Sequence, residues 1–308
     1  MDETIGAKPR RRGLWGRLTL RQKQVIWAWG FLAIPIVFYS VVRFWPTIDA
    51  FYLSFTKWNL LQPPDFIGLD NYRRMFADPQ FWQVFRNTFL YLIIGTPVSL
   101  LLSFTIAYHL DRVRFMHGLI RALYFLPYLT TAAVMAWVWR WFYQPAPVGL
   151  INDMLSMVGL PQQPFLRSTV QALPAVLAPA VWAGLGFQIV IFMAGLRAIP
   201  TSYYEAARID GVSNWTILTR ITLPLLKPTF VFLVVFASIA FLRIFDQVYN
   251  MTTNDPGGPL NSTKPLVLMI YQSAFNSFDM GYAAAQTVVL FLVLLVISLV
   301  QLTVLRDR

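Results

Sequence analysis

Residues 202–224 read SYYEAARIDGVSNWTILTRITLP, and how this stretch folds decides how the rest of the chain is arranged. Ser202 and Glu205 stand three apart. That is the spacing of a capping box, in which hydroxyl and carboxylate each satisfy an exposed amide at a helix start. Ala206, Ala207, Arg208 and Ile209 continue the helix, and Gly211 sits where a left-handed residue ends it. Ser213 is placed to cap a second helix carrying Trp215, Ile217, Leu218 and Ile221. Pro224 and Pro228 stop that helix and start the next. The spacing therefore predicts a short helix, a glycine turn and a second short helix. Long hydrophobic runs flank the segment on both sides, which puts it at a membrane surface.

Composition sets the same class. Of 308 residues, 57% are hydrophobic and 13% charged, and the mean hydropathy is +0.55. Soluble domains carry about 25% charged residues, so the solvent expected here is lipid. The chain has no cysteine, which excludes disulfides, thiolate metal sites and cysteine nucleophiles.

Read in order, residues 1–24 are polar and basic, with Lys8, Arg10, Arg11, Arg12, Arg17, Arg21 and Lys23. They form a basic cytoplasmic segment rather than a cleaved signal, because the run that follows is too long and lacks a small-residue cleavage site. Residues 25–308 are expected to form a six-span transmembrane domain. The first span covers 25–45 and is closed by Pro46. A polar-aromatic loop follows over 47–84. The second span covers 85–108, with Pro97 inside it, and the third covers 119–142, with Pro127 inside it. A loop over 143–170 carries a short helix at 150–158. The fourth span covers 173–196 and the fifth 229–251. A Gly/Pro/Asn-rich loop over 252–265 leads to an amphipathic helix at 266–278, and the sixth span covers 283–305. The expected fold class is an all-α membrane protein with six transmembrane helices and a cytoplasmic segment between the fourth and fifth.

Six spans put both termini on one side. The basic N-terminus, Arg112, Arg114, Arg121, Arg197, Arg208, Arg220, Lys227, Arg306 and Arg308 fall on that side. Lys57, Arg73, Arg74, Arg86, Arg140, Arg167 and Lys264 fall on the other, mostly in long loops that weigh little. The positive-inside rule makes the first side cytoplasmic, with Glu205 on it. Net charge of +11 is thus divided among loops, which argues against nucleic acid as a partner.

The fifth span carries the polar stripe Arg243, Asp246, Gln247 and Asn250, at i, i+3, i+4 and i+7 of a helix face. Ionisable groups in a span are expensive and normally face a bundle interior or a water-filled cavity. Two readings stand side by side: an Arg243–Asp246 pair that satisfies itself while packing, or a polar solute pathway in which Tyr249 adds a ring for stacking. Tyr124, Tyr128, Thr130 and Gln188 are weaker candidates, since lone polar residues in spans are more often helix-packing groups.

The chain has no Gly-x-x-x-x-Gly-Lys-Ser/Thr run and no glycine followed by lysine, so it carries no P-loop of its own. A transporter driven by an ion gradient would call for paired broken helices and several intramembrane acids, and Asp246 is the one clear acid in the spans. An intramembrane enzyme would need a nucleophile–base or metal constellation. His109 and His117 lie beside a basic loop and do not supply one.

The same residues carry a resemblance. Glu205-Ala206-Ala207, Gly211, Ile221, Leu223 and Pro224 reproduce at every spacing the signature EAA---G---------I-LP of the membrane subunits of binding-protein-dependent ABC importers. FIGLDNYRRMFADPQFWQVFRNTF (66–89), LPY (126–128), FDQVYNMTTNDPGGP (245–259) and the AF…GYAAA of 274–285 resemble the carbohydrate branch, the first membrane subunit of maltose- and glycerol-phosphate-type permeases. The resemblance implies that 202–224 is a coupling helix docking into an ATPase groove, with Glu205, Ala206, Ala207, Asp210 and Gly211 at the contact. It implies a bacterial or archaeal inner-membrane location and a heterodimer with a second permease. It also implies two ATPase subunits that bind the ATP and Mg, an extracytoplasmic solute-binding protein, and a sugar or sugar derivative as solute. No cofactor is implied in this chain.

Overall fold

The computed structural model describes residues 19–110, 117–252 and 254–305. Lys8, Arg10, Arg11, Arg12, Arg17, Arg112, Arg114 and the terminal Arg306-Asp307-Arg308 lie outside the described residues, as do the side chains of His117 and Arg121. Two compact units divide between Tyr52 and Leu53.

Helix α1 (Leu20–Leu53) begins on a capping box. Thr19 Oγ1 accepts from the Gln22 amide at 3.3 Å, and Gln22 Oε1 accepts from the Thr19 amide at 2.9 Å. The sequence places the end of this span at Pro46, yet the helix continues to Leu53. A π turn at Ser40–Phe44 precedes the proline, and its wider hydrogen bonds re-register the ladder ahead of a residue with no N–H to give.

The second unit opens with strands β1 (Thr56–Lys57) and β2 (Asp65–Phe66), paired antiparallel with Thr56 opposite Phe66. Helix α2 (Asp70–Ala77) follows. The stretch read from sequence as a loop is knit together by Asn71, whose amide donates to the Ser54 and Thr56 carbonyls at 3.0 and 2.8 Å. Helix α3 (Pro79–Leu110) is one continuous run that contains Pro97. The third span is a correction, because it is broken. Helices α4 (His117–Leu129) and α5 (Ala132–Phe142) meet at 102°. Pro127 weakens the last turn of α4, and Thr131 adopts an extended backbone before α5 restarts. Helix α6 (Leu150–Met157) lies in the following loop, and α7 (Ala172–Ala198) is the fourth run.

After α7 come α8 (Thr201–Ile209) and α9 (Asn214–Leu225), the latter passing through a π turn at Leu218–Thr222. Pro224 lies inside α9 rather than ending it, again behind a π turn. Helix α10 (Lys227–Leu242) starts with Pro228 in its first turn, where proline fits, and leaves α9 at 67°. It stops at Arg243, and α11 (Asp246–Met251) begins a new run, so the fifth span is broken as well. Helices α12 (Leu266–Asn276) and α13 (Met280–Leu305) complete the chain. Among the described residues, four helices (α1, α3, α7 and α13) are long and apolar enough to cross a membrane, or up to six if each bent pair is one span.

Helices α3, α7 and α10 make the core of the second unit. Phe104, Phe192 and Phe230, one from each, form a triangle with ring centroids 4.8 to 5.5 Å apart. Close approach comes from small residues. A Cβ on Gly95 would lie 2.7 Å from the Phe241 ring, and one on Gly195 would lie 2.6 Å from Thr229 Oγ1. Gly95 faces Phe241 while Phe104 faces Phe230, so α3 and α10 run antiparallel. The Pro79 end of α3 therefore lies with residues 242–280, and the α8–α9 segment lies at the opposite end.

Candidate functional site

The α8–Gly211–α9 segment is built as a helix–turn–helix, with one local correction. Helix α8 starts at Thr201 with Pro200 as its N-cap, so Ser202 is already inside the first turn and forms no capping box with Glu205. The extended backbone of Pro200 (ψ 134°) makes it the N-cap and sets the helix start at Thr201, which takes Ser202 out of the capping position. The C-terminal end is as expected. The Gly211 amide donates to the Arg208 carbonyl at 3.1 Å and the Val212 amide to the Ala207 carbonyl at 3.0 Å. These two bonds make a Schellman motif, with Gly211 in the left-handed region at φ +71°. Ser213 caps α9 by accepting from the Thr216 amide at 3.2 Å.

Packing sorts the residues of this segment. Ala207 and Ile217 are buried, and the Tyr204 hydroxyl lies 3.3 Å from Thr222 Oγ1, tying α8 to the π turn of α9. Glu205, Ala206, Asp210 and Gly211 are exposed. So are three large apolar groups on the same segment, Tyr203, Ile209 (87%) and Trp215 (71%). Exposed large apolar side chains together with the exposed charges of Glu205, Arg208 and Asp210 are the make-up of a protein-contact surface.

The polar stripe is rearranged. Because the helix breaks at Arg243–Phe245, Arg243 does not share a continuous helix face with Asp246, Gln247 and Asn250. No ion pair joins Arg243 to Asp246, and both are exposed. Asp246 sits in the first turn of α11, where a carboxylate is favoured by the exposed amides. Asn250 Nδ2 donates to the Asp246 carbonyl at 2.8 Å. Gln247 is half-buried. Tyr249 stacks on Phe245 at 5.3 Å and meets the Tyr271 ring edge-on at 5.5 Å, with Phe275 5.1 Å beyond Tyr271. The structure thus brings Tyr249 into an aromatic ladder that includes α12, which one-helix reasoning does not reach. Of the weaker candidates, Gln188 is buried and held by Ser103 Oγ at 2.9 Å and Ser99 Oγ at 3.4 Å. Tyr128 stacks on Phe187 at 5.5 Å, and the Thr130 hydroxyl donates to the Leu126 carbonyl.

Sequence reasoning missed what holds the 252–265 loop. Gln83 Nε2 donates to the Leu260 carbonyl at 2.6 Å, and Asn87 Nδ2 to the carbonyls of Asn261 at 2.8 Å and Lys264 at 3.2 Å. The Tyr91 hydroxyl donates to the Thr263 carbonyl at 2.9 Å, and Thr88 Oγ1 accepts from the Leu266 amide at 2.9 Å. The loop lies along one face of α3 and is fixed there. The available signal was the run of polar residues at 83, 87, 88 and 91, a helix stripe with no purpose in lipid.

The profile of the binding-protein-dependent transport system inner membrane component matches residues 95–308. The chain is 30% identical to a lactose transport system permease protein of Rhizobium radiobacter over 297 residues, 95% of this chain and 98% of that one. It is 32% identical to a sulfoquinovosyl glycerol transport system permease protein of Agrobacterium fabrum, over 90% of this chain and 89% of the relative. An sn-glycerol-3-phosphate transport system permease protein of the same organism is 30% identical over 90% of this chain and 94% of its own. The fold matches a crystal structure of a bacterial ABC transporter that imports the acidic polysaccharide alginate, with a TM-score of 0.78, 24% identity, and coverage of 92% of this chain and 96% of that one. The chain belongs to the inner-membrane permease components of binding-protein-dependent ABC transport systems.

Proposed function

We propose that this chain is the membrane-spanning subunit of an ATP-driven importer for a sugar or sugar derivative. It works beside a second permease, two ATPase subunits and an extracytoplasmic solute-binding protein. Relatives named for a cargo include permeases for lactose, sulfoquinovosyl glycerol and glycerol phosphate, all polyhydroxylated. Structures of the alginate importer include one with a periplasmic protein carrying an alginate pentasaccharide. In this reading each bent helix pair completes one crossing, for six in all, and both termini lie in the cytoplasm. Residues 1–24 are the basic cytoplasmic segment, and 25–308 form the permease body. ATP and Mg belong to the partner ATPases.

The observation that carries the coupling role is the exposed, rigid turn from Glu205 to Trp215, at the end of the second unit away from the 252–265 loop. Glu205, Ala206, Asp210 and Gly211 present to the ATPase, while Ala207 anchors α8 from beneath. Arg243, Asp246, Gln247, Tyr249 and Asn250 line the solute route at the other end. The two sites communicate through a conformational equilibrium that both partners bias. The test is ATPase stimulation by loaded binding protein in reconstituted vesicles, with co-purification of the ATPase. Glu205→Lys is expected to insert and to pair with the second permease, yet to lose ATPase retention and stimulation together. Full retention and stimulation in that variant would make this turn a passive connector.

A further inference from the structure

A cavity of about 490 Å³ opens between α2, the 252–265 loop, α12 and the start of α13, at the end of the second unit away from Gly211. Its most unusual member is Lys264, a lysine only 6% exposed. Lysines are almost never buried to this degree unless paired, but among the described residues no ion pair or side-chain hydrogen bond reaches its ammonium. Asp78 is the carboxylate that acts on it through space. The loop is shaped around its stem. Gly257 has φ +107°, and a Cβ there would lie 2.9 Å from Lys264 Cβ and 3.2 Å from Cγ. A glycine thus makes way for an aliphatic chain that carries a charge beneath the surface to the cavity wall.

The other walls are mostly polar. The half-buried side-chain amides of Gln80 and Gln272 and the hydroxyl of Ser273 line the cavity and make no hydrogen bond among the described residues, while Asp78 Oδ1 accepts from the Gln80 backbone amide at 2.8 Å. Arg74 is already committed, to Asp279 at 2.6 Å and to the face of Tyr282 at 4.2 Å. Polar side chains that converge on one concave wall can fix the orientation of a polar ligand. A carboxylate acceptor, an ammonium donor and amides that do both match a ligand whose groups each donate and accept, as vicinal hydroxyls do. The Tyr282 ring adds an apolar wall.

We infer that the Lys264 cavity is a second saccharide-binding site, separate from the Arg243–Asn250 region, in which a hydroxyl pair bridges Lys264 and Asp78. The site rests on the transport reading in that it takes the same class of molecule before it enters the route between the helices. The experiment uses the full importer complex in lipid nanodiscs without binding protein, with lactose as probe and saturation-transfer NMR as readout. Saturable lactose binding is expected. It should weaken about tenfold in Lys264→Met and in Gln272→Leu, the effect of one lost charge-assisted or amide bond. In Gly184→Ala, outside both sites, it should be unchanged. Lactose binding that survives both cavity changes, or that fails equally in Gly184→Ala, overturns the proposal, as does no saturable binding at all. If Lys264→Met spares lactose but weakens stimulation by the binding protein, the cavity is a protein-docking site and the proposal is wrong. Uptake measured with the same complex separates the two readings. Intact uptake without lactose at Lys264 removes only the cavity, whereas no uptake of any sugar removes the transport reading.

Discussion

The hydroxyl of Tyr91, on α3, donates to the backbone carbonyl of Thr263 at 2.9 Å across 172 positions of sequence. Both residues are fully buried. With Gln83, Asn87 and Thr88 it fastens the 252–265 loop along one helix, so the loop is part of the permease body rather than a free lid.

Tyr91→Phe should loosen that loop without unfolding the chain. It leaves one buried carbonyl unpaired, which costs about 1–3 kcal/mol locally. Amide exchange over 254–265 is expected to speed up while α7 stays protected. Unchanged exchange would mean that the remaining bonds from Gln83, Asn87 and Thr88 hold the loop alone.

Two neighbouring glycines should behave differently. A Cβ on Gly186 would lie 2.5 Å from the Tyr124 carbonyl oxygen and 2.9 Å from Phe125 Cα, both backbone atoms, whereas one on Gly184 meets only Gln188 Nε2 at 3.6 Å. Gly186→Ala has to push α4 away from α7 and should cost about 1–3 kcal/mol, the usual range for overpacking. In detergent its apparent Tm should fall while that of Gly184→Ala stays within a degree or two of wild type, given about 2–4 °C per kcal/mol for a chain of this size. Equal Tm values would place the α4–α7 contact elsewhere.

At Gly211 the obstacle is conformation rather than space, since an added Cβ meets nothing within 4 Å at φ +71°. Gly211→Asn should therefore retain most coupling, because asparagine enters the left-handed region readily, whereas Gly211→Val should lose it. The strain of about 1–2 kcal/mol is too small to prevent insertion. Stimulated ATPase activity is the measurement, and a Val variant as active as Asn would remove the turn geometry from the mechanism.

Lys264→Met should raise stability at neutral pH. Burial holds the Lys264 ammonium below its ordinary value of 10.5, with Asp78 opposing the shift. A depressed folded value means that the unfolded chain binds the proton more tightly, so the charge weighs against folding at neutral pH. That penalty shrinks as pH rises through the folded value towards 10.5. The variant is expected to gain about 2–4 °C in apparent Tm at pH 7, with the gap narrowing as pH rises towards 10.5. A lower Tm would show that the ammonium is held by a favourable contact.

Features written in a few adjacent residues were legible in the sequence. Gly211 and Ser213 form the turn and cap that their types demand, and the profile match begins at Gly95 and takes in the whole segment. The capping box at Ser202–Glu205 was not formed, because Pro200 set the helix start earlier, and the equivalent box formed at Thr19–Gln22 instead. Prolines were legible as perturbations but not in their outcome. Pro97 is accommodated inside α3, Pro46 and Pro224 follow π turns, and Pro127 and Pro224 each precede a bend, of 102° and 67°. The break at Arg243–Phe245 involves neither proline nor glycine. It arises from tertiary packing that buries Ile244 and Val248 while Arg243 and Asp246 remain exposed, and no local pattern encodes it. The cavity at Lys264 was illegible for the same reason, since separated segments assemble it.

The tie between α3 and the 252–265 loop also bears on how the protein is made. When α3 leaves the ribosome, Tyr91 has 172 residues to wait for its acceptor, which at about 5–20 residues per second is on the order of ten seconds or more. During that interval Asn87, Thr88 and Tyr91 need other partners, and lipid tails offer none. Their place near the Pro79 end of a 32-residue helix resolves the difficulty. Tyr91 lies only about 18 Å from that end at 1.5 Å per residue, so a nascent α3 longer than the bilayer is thick can keep these groups close to headgroup water until the loop arrives.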